Sequence, residues 1–132
     1  MSTIFTKIIQ GEIPCYKVAE TDDFIAFLDI NPNTIGHTLC VPKIEVDDIL
    51  ELDENSYNKL MLFSRKVAMS IKNVINCKKV SISVIGLEVP HVHVHLIPIN
   101  KMNDANFSVK ISQKDKDFIS TARQISNAFT NF

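Results

Sequence analysis

The sequence predicts an α+β fold around an antiparallel sheet. Two observations carry this prediction: five strand-like segments are joined mostly by connections of hairpin length, and the helical segments lie apart from them along the chain. The chain has 132 residues, of which 45% are hydrophobic and 22% charged, and this is the size and composition of one globular domain. We therefore expect residues 1–132 to form a single domain.

A short helix is predicted at the N-terminus. Ser2 or Thr3 can cap it, and Gly11 and Pro14 stop it. The apolar residues between these limits follow helical spacing: Ile4, Phe5, Ile8 and Ile9.

Three strands are predicted next, at residues 17–20, 24–30 and 36–42. The turn-forming segments 21–23 (Thr-Asp-Asp) and 31–33 (Asn-Pro-Asn) separate them. Connections this short favour antiparallel neighbours in the sheet.

The longest predicted helix begins after Asp53, which can cap it. Glu54 in its first turn and the lysines after its end, Lys78 and Lys79, suit the helix dipole. Its apolar residues recur at steps of three and four: Tyr57, Leu60, Met61, Val67, Ala68, Ile71, Val74 and Ile75. This stripe predicts a helix that buries one face.

Two further strands and a last helix complete the prediction. The strands are expected at 80–85 and 91–97, with Pro98 closing the second. Residues 101–110 are polar and predicted to be irregular, and a helix should start near Ser112. Its inner stripe would consist of Phe118, Ile119, Ala122, Ile125, Ser126 and Phe129.

Composition excludes several classes of function. A formal net charge of −1 gives no electrostatic reason to expect binding to bulk nucleic acid or to a membrane surface. The three glycines, Gly11, Gly36 and Gly86, cannot form a GxGxxG or GxxxxGK[ST] phosphate cradle. Three widely spaced cysteines predict reduced thiols, and no apolar run approaches the length of a membrane span. We expect a cytoplasmic protein.

Three histidines alternate with apolar residues in segment 91–97, His-Val-His-Val-His-Leu-Ile. On a strand, residues two apart share a face, so His91, His93 and His95 would project to one side. Buried imidazoles need hydrogen-bond partners, so this face is expected to meet water, a pocket or a ligand. Partly buried histidines without a functional role are the simpler alternative.

A zinc site is one interpretation of these histidines. On a straight strand His91 and His95 would start about 13 Å apart, whereas zinc holds its nitrogen ligands at about 2.0–2.1 Å. An adjacent pair could still chelate a metal with help from His37 or Glu88. Separate roles fit the spacing better, because one imidazole can attack phosphorus while its neighbours bind phosphate, move a proton or orient the nucleophile.

The alternating segment resembles the signature of the histidine triad (HIT) family of nucleotide-binding hydrolases and transferases, His-x-His-x-His followed by two apolar residues. Residues 4–14 are similar to the family's opening segment, and residues 24–32 and 36–43 to its central strands. The resemblance covers residues 3 to about 98 and leaves 99–132 as a C-terminal extension with a helix. It implies a five-stranded antiparallel sheet and a homodimer.

The resemblance also implies an enzyme whose partner is a purine nucleotide, and we expect it to need no metal or other cofactor. Such enzymes act at the α-phosphate of nucleoside phosphoramidates, adenylates or dinucleoside polyphosphates through a covalent nucleotidyl-histidine. By position, His93 would be the nucleophile and His95 would contact the phosphate and the leaving group. His91 and His37 would orient and support the nucleophile, and Asp29 would accept hydrogen bonds from the ribose.

The remaining nucleotide-binding candidates follow from the same resemblance. An apolar slot for the base would be formed by Ile4, Phe5, Ile8, Phe27 and Ile30, and Glu88 and Val89 would lie beside the phosphate. Simpler interpretations stay open: the apolar stripe as ordinary core, Asp29 as a turn acid, and His37 as a surface residue.

The segment before the triad departs from the family pattern of Asn-x-Gly followed by Ala-Gly-Gln-x-Val. It is several residues shorter, has no asparagine, and carries Leu87 and Glu88 where glutamine and Ser or Thr are usual. A carboxylate beside a phosphate is unfavourable unless it is neutralised or turned away. The alternative function is therefore a nucleotide-binding module whose catalysis is weak or lost.

Overall fold

A computed structural model describes residues 3–131, in which a five-stranded antiparallel sheet is combined with three α-helices. The predicted α+β class is confirmed. The elements are α1 (Ile4–Ile9), β1 (Lys17–Glu20), β2 (Phe24–Leu28), β3 (Thr38–Pro42), α2 (Glu54–Val74), β4 (Lys79–Ser83), β5 (Val94–Ile99) and α3 (Asp115–Thr130). Short 3-10 turns lie at Ile49–Glu51 and Met102–Ala105. No helix among residues 3–131 combines the length and the apolar character needed to cross a bilayer.

Strand β5, which contains the end of the histidine segment, lies in the interior of the sheet. The strand order is β1-β2-β3-β5-β4, and every neighbouring pair is antiparallel. His95 lies opposite Leu39 of β3 on one side and opposite Ser83 of β4 on the other. Backbone pairing on both sides therefore holds this histidine at a fixed position.

The two faces of the sheet have separate cores. One face packs against α2 and α3, and its core includes Val92, Val94 and Leu96. The opposite face packs against α1 and contains Phe5, Ile25, Phe27, Leu39 and Val41. Because side chains alternate along the chain, the valines face the long helices and His93 and His95 share the face with α1, as the sequence predicts.

Helix α2 begins and packs as its sequence indicates. The Asp53 carboxylate accepts a hydrogen bond from the Ser56 backbone N–H at 2.7 Å, which caps the first turn. Leu60, Val67 and Ile71 of the predicted stripe are fully buried against the sheet. Each such side chain contributes about 1.5–3 kcal/mol through burial. At α1, Thr3 provides the cap, and Ser2 lies outside the described residues.

The predicted start of the histidine strand is wrong by three residues. β5 begins at Val94, because the His91 N–H bonds to the Val89 carbonyl and the Val92 N–H bonds to the carbonyl of Val46, a loop residue. Pro98 does not close the strand, which continues to Ile99. β3 pairs with β5 only at residues 94–96, so the missing N–H of Pro98 lies beyond that ladder.

Other boundaries differ by two or three residues. β2 ends at Leu28, because Asp29 already starts the turn. β4 covers Lys79–Ser83 where strand was predicted to Ile85, and α3 starts at Asp115 where the sequence suggested Ser112.

Gly36 fixes the entry into β3. Its φ of +93° is a conformation that side chains rarely adopt, so β3 starts at Thr38 and not at the predicted residue 36. A Cβ at this position would lie 3.2 Å from Ile75 and 3.3 Å from Pro98. Glycine is thus required both for the turn and for the close packing directly before His37.

Candidate active site

A cavity of about 580 Å³ opens on the face of the sheet that carries α1. Its volume lies in the range of small-molecule sites. All the predicted nucleotide-binding residues line it: Ile4, Phe5, Ile8, Phe27, Asp29, Ile30, Glu88 and Val89. His93 and His95 also line it. The part of the cavity wall formed by α1 is mainly apolar, and the other parts carry the ionisable side chains Asp29, Glu88, His93, His95 and Lys110.

The other two histidines are buried in the protein. His37 and His91 are only 1% and 0% exposed. The interpretation of His37 as a surface residue is therefore wrong, and His91 meets neither water nor the cavity. The His37 ring is hydrogen-bonded to the His95 ring, and the His91 backbone carbonyl is hydrogen-bonded to the His93 ring.

One ring nitrogen of His93 is engaged in a hydrogen bond and the other is left open. Its Nδ1–H donates to the backbone carbonyl of His91 at 2.7 Å. The neutral ring then carries its lone pair on Nε2, for which residues 3–131 supply no hydrogen-bond partner. Burial lowers the pKa of His93, so the ring is neutral at pH 7. Phe5 packs edge-on against it, with ring centroids 4.9 Å apart.

His95 has the opposite tautomer, set through His37. The Asn33 backbone N–H donates to His37 Nδ1 at 3.0 Å, so the His37 proton must reside on Nε2. That Nε2–H donates to His95 Nδ1, also at 3.0 Å, which leaves the His95 proton on its own Nε2. A backbone N–H thus determines which nitrogen of His95 can donate.

Both members of this pair are neutral. Burial and the neighbouring His95 lower the pKa of His37 to about 3. Burial, His93 and the Lys110 charge lower the pKa of His95 to about 4. The rings of His93 and His95 have centroids 4.8 Å apart. At pH 7 the cavity therefore places an imidazole lone pair beside an imidazole N–H donor.

Asp29, His37 and His95 form a group whose possible ligand atoms lie within 4.8 Å of one another. The hydrogen bonds disfavour a metal there. A metal on His37 Nε2 would move the ring proton to Nδ1, where it would meet the Asn33 N–H donor. This set also differs from the adjacent triad pair considered from the sequence.

Asp29 combines a turn role with a position in the cavity wall. One carboxylate oxygen accepts the Asn31 backbone N–H at 2.9 Å, as expected for a turn acid. The other lies 3.6 Å from His37 Nε2. Burial raises the pKa of this carboxyl. The two interpretations of Asp29 made from the sequence are therefore compatible.

His91 ties the histidine segment to α1. Its Nε2–H donates to the Pro42 carbonyl at 2.8 Å, so Nδ1 accepts from the Thr3 hydroxyl at 2.9 Å. The same Thr3 oxygen accepts the Thr6 N–H and caps the helix. Glu45 accepts from the Thr3 backbone N–H and the Thr6 hydroxyl. The apolar slot and the histidine segment are joined through these bonds.

Sequence reasoning missed residues from the tail after β5. Phe107 and Lys110 line the cavity, although segment 101–110 was predicted only to be irregular. Phe107 packs edge-on against His95, with ring centroids 4.8 Å apart. Lys110 Nζ donates to the Asn33 side-chain oxygen at 2.8 Å. An apolar residue and a lysine within a polar tail were the only signals in the sequence.

The sequence is similar to those of known proteins. The family model described as the HIT domain matches residues 10–102. An uncharacterised HIT-like protein of Borreliella burgdorferi is 36% identical over 132 residues, covering 93% of this chain and 95% of its own. The adenosine 5'-monophosphoramidase of Schizosaccharomyces pombe is 39% identical over 99 residues, covering 74% of each chain.

A solved structure shares the fold over nearly the whole chain. The structure of a hypothetical histidine triad nucleotide-binding protein from Sulfolobus tokodaii superposes with a TM-score of 0.84 at 28% identity. The match covers 96% of this chain and 91% of the other. The domain match covers most of the chain, and the identities to relatives exceed 30%. This chain therefore belongs to the histidine triad family.

Proposed function

We propose that the protein is a nucleotidyl hydrolase or transferase that acts at the α-phosphate of purine nucleoside phosphoramidates, adenylates or dinucleoside polyphosphates. The observation that carries the proposal is the pair of complementary nitrogens in one cavity: the Nε2 lone pair of His93 and the Nε2–H of His95. The activity named for the Schizosaccharomyces pombe relative, adenosine 5'-monophosphoramidase, supports the same class of reaction.

The reaction proceeds in two displacements. The His93 Nε2 lone pair forms a bond to the α-phosphorus as the bond to the leaving group breaks, and the leaving atom keeps that electron pair. The His95 Nε2–H stabilises the developing negative charge by hydrogen bonding, and the leaving group takes its proton from water. Water then attacks the phosphorus of the adduct and loses a proton, and the phosphorus–Nε2 bond breaks with its electron pair returning to His93, which releases the nucleoside monophosphate and restores the neutral ring.

The substrate is held by the walls on either side of this pair. The base enters the apolar slot, where Phe5 and Phe27 pack edge-on with ring centroids 5.7 Å apart. Asp29 accepts hydrogen bonds from the ribose with the carboxylate oxygen that the turn does not use. His91 and His37 hold the two working rings in their tautomers.

Trapping the covalent adduct tests the proposal. Wild-type protein is mixed with adenosine 5'-phosphoramidate or a dinucleoside polyphosphate, quenched in alkaline denaturant, and measured by intact and peptide mass spectrometry. We expect a mass increase of one adenylyl group on the peptide that contains His93, and none in His93→Ala. Turnover with the adduct on another residue, or no turnover and no adduct with any substrate, would contradict the proposal.

The alternative is a nucleotide-binding module without turnover, and one observation favours it. The Glu88 carboxylate lies on the cavity wall and its charge acts on His93, where a phosphate must approach. Both functions require the nucleotide to enter the slot, so binding has to be measured separately from catalysis.

Cys15 provides a measurement of occupancy. This half-buried thiol lines the cavity, whereas half-buried Cys77 lies outside it. We expect adenosine 5'-monophosphate to slow the alkylation of Cys15 by iodoacetamide at least several-fold, because a base in the slot covers the sulfur. Burial raises the pKa of both thiols, so the reaction is run near pH 8.5.

Cys77 and Cys40 act as internal controls in the same sample. Cys77 should react at the same rate with and without nucleotide. Cys40 is fully buried with its pKa raised to about 12, so it should stay unmodified in the native protein. Equal rates for Cys15 at saturating nucleotide would mean that the base does not occupy this slot.

The homodimer and the cytoplasmic location remain predictions. β4 is an edge strand of the described sheet, and it and the residues after it expose Ile82, Val84 and Ile85. A second copy of the chain would cover these apolar side chains and pair the open edge.

A further inference from the structure

The tail after β5 crosses the rim of the cavity and is fixed there by backbone and amide contacts. The Ile111 N–H bonds to the Pro32 carbonyl, and the Asn33 side-chain N–H bonds to the Asp104 carbonyl at 3.1 Å. Phe107 packs against His37 and His95. These contacts hold the tail at the rim of the cavity independently of the Lys110 ammonium.

Lys110 places a cation in the cavity wall at this point. Its Nζ donates to the Asn33 side-chain oxygen at 2.8 Å and lies 5.2 Å from the centroid of the Phe107 ring. Within residues 3–131 no carboxylate lies within 4.0 Å of it. An ammonium has three N–H donors, so one bond to an amide leaves donors and a full charge available to a ligand.

Charged groups lie around both histidines of the cavity. Burial is the main cause of the lowered pKa of both His37 and His95, and the positive charge of Lys110 adds to it. Burial likewise dominates at His93, where the negative charges of Asp29 and Glu88 oppose it. The Lys110 ammonium therefore acts on the His95 side of the site, where the Asp29 carboxylate also lies within 4.8 Å of His95, and Glu88 adds negative charge on the His93 side.

The leaving group departs on the His95 side, because His95 supplies the N–H that stabilises the leaving atom, and Lys110 lies over Phe107, which packs against His95 on that side. We propose that Lys110 binds negative charge on the leaving group, so that the protein favours substrates that release a phosphate-bearing group, such as a nucleoside polyphosphate, over substrates that release an uncharged amine. This inference rests on the proposed function, and it adds a substrate-contacting residue from the C-terminal tail.

Two substrates that share the adenosine 5'-phosphoryl group test the inference. Adenosine 5'-phosphoramidate releases ammonia, and diadenosine triphosphate releases adenosine diphosphate. The variants are Lys110→Met, Lys110→Arg, which keeps the charge, and Lys116→Met, which removes an equal charge from an exposed position in the first turn of α3. Circular dichroism and thermal melting show that each variant is folded.

We expect Lys110→Met to lower kcat/KM for diadenosine triphosphate about 10- to 100-fold, the range for a lost hydrogen bond to a charged group. For the phosphoramidate the change should stay within about threefold. Lys110→Arg should retain most of the preference, and Lys116→Met should behave as wild type. An equal loss on both substrates would show that Lys110 only holds the tail, and no loss on either would also overturn the inference.

Binding separates this inference from the proposed function. If wild-type protein turns over neither substrate, the dissociation constants of adenosine diphosphate and adenosine monophosphate are compared in wild type and Lys110→Met. A weakening of about tenfold or more for the diphosphate alone would support Lys110 as the anion contact while refuting the catalytic proposal. The inference about Lys110 would be overturned if the variant bound both nucleotides equally more weakly or as tightly as wild type. It would also be overturned if wild type did not bind the diphosphate.

Discussion

Replacing His93 with alanine is expected to lower kcat by about 10⁴-fold or more, the scale seen when a covalent nucleophile is removed. The Nε2 atom of His93 has no substitute in the cavity. His95 Nε2 carries a proton, and His37 and His91 are buried with both ring nitrogens engaged. Steady-state assays on the substrates of the adduct experiment measure the loss.

The same variant should still bind nucleotide. His93 contributes to the wall of the cavity, but the apolar slot is formed by other residues, so the dissociation constant of adenosine monophosphate should change less than about tenfold. Protection of Cys15 reports on this binding in the variant as well. A His93→Ala protein that kept a tenth of the wild-type kcat would rule out His93 as the nucleophile.

Acid is expected to destabilise the protein by roughly 2–5 kcal/mol between pH 7 and pH 4.5. The pKa of His37 is about 3 and that of His95 about 4 in the folded state, whereas an unfolded histidine has a pKa near 6.5. Below pH 6.5 the unfolded chain therefore binds protons that the folded chain does not, and the free energy of unfolding falls. The loss ends once the pH is below the folded pKa values.

Other groups modify this slope. Burial also lowers the pKa of His93, which adds to the loss in the same window. Burial raises the pKa of Asp29, which favours the folded state as the pH falls towards the carboxyl range. Urea denaturation at about pH 7.0, 6.0, 5.0 and 4.5 gives the free energy of unfolding at each pH.

A His95→Asn variant is the matched comparison, because it removes one of the two strongly shifted groups. It should show a shallower pH dependence than wild type over the same range. A wild-type free energy of unfolding that stayed constant from pH 7 to pH 4.5 would contradict the neutral, hydrogen-bonded state of the pair.

The sequence was sufficient to predict the features that depend on local periodicity. The alternation in 91–97 correctly separated the valines from His93 and His95. The stripe of α2 correctly indicated Leu60, Val67 and Ile71 as buried, whereas Tyr57 is exposed. The residues expected in the slot do line one cavity, although that expectation came from family resemblance. Their role in binding nucleotide stays a prediction.

The hydrogen-bond partners in the site and the start of β5 could not be predicted, because they depend on contacts between distant parts of the chain. His95 bonds to His37, which is 58 residues away in the sequence. Lys110 bonds to Asn33 across 77 residues, and His91 bonds to the Thr3 hydroxyl across 88 residues. No periodicity encodes such pairings. The start of β5 was misjudged for the same reason, because the backbone of 91–92 bonds to loop residues and not to a neighbouring strand.

Helix α1 has a thermodynamic consequence for ligand binding. A helix of six residues is not stable alone in water, so it persists through its contacts with the sheet, Glu45 and His91. A nucleotide that adds contacts to Ile4, Phe5 and Ile8 must raise the free energy of local unfolding of this segment. By linkage, a change that loosens α1 is expected to weaken the binding of any ligand held in this slot, and it removes the Thr3 hydroxyl from the His91 ring.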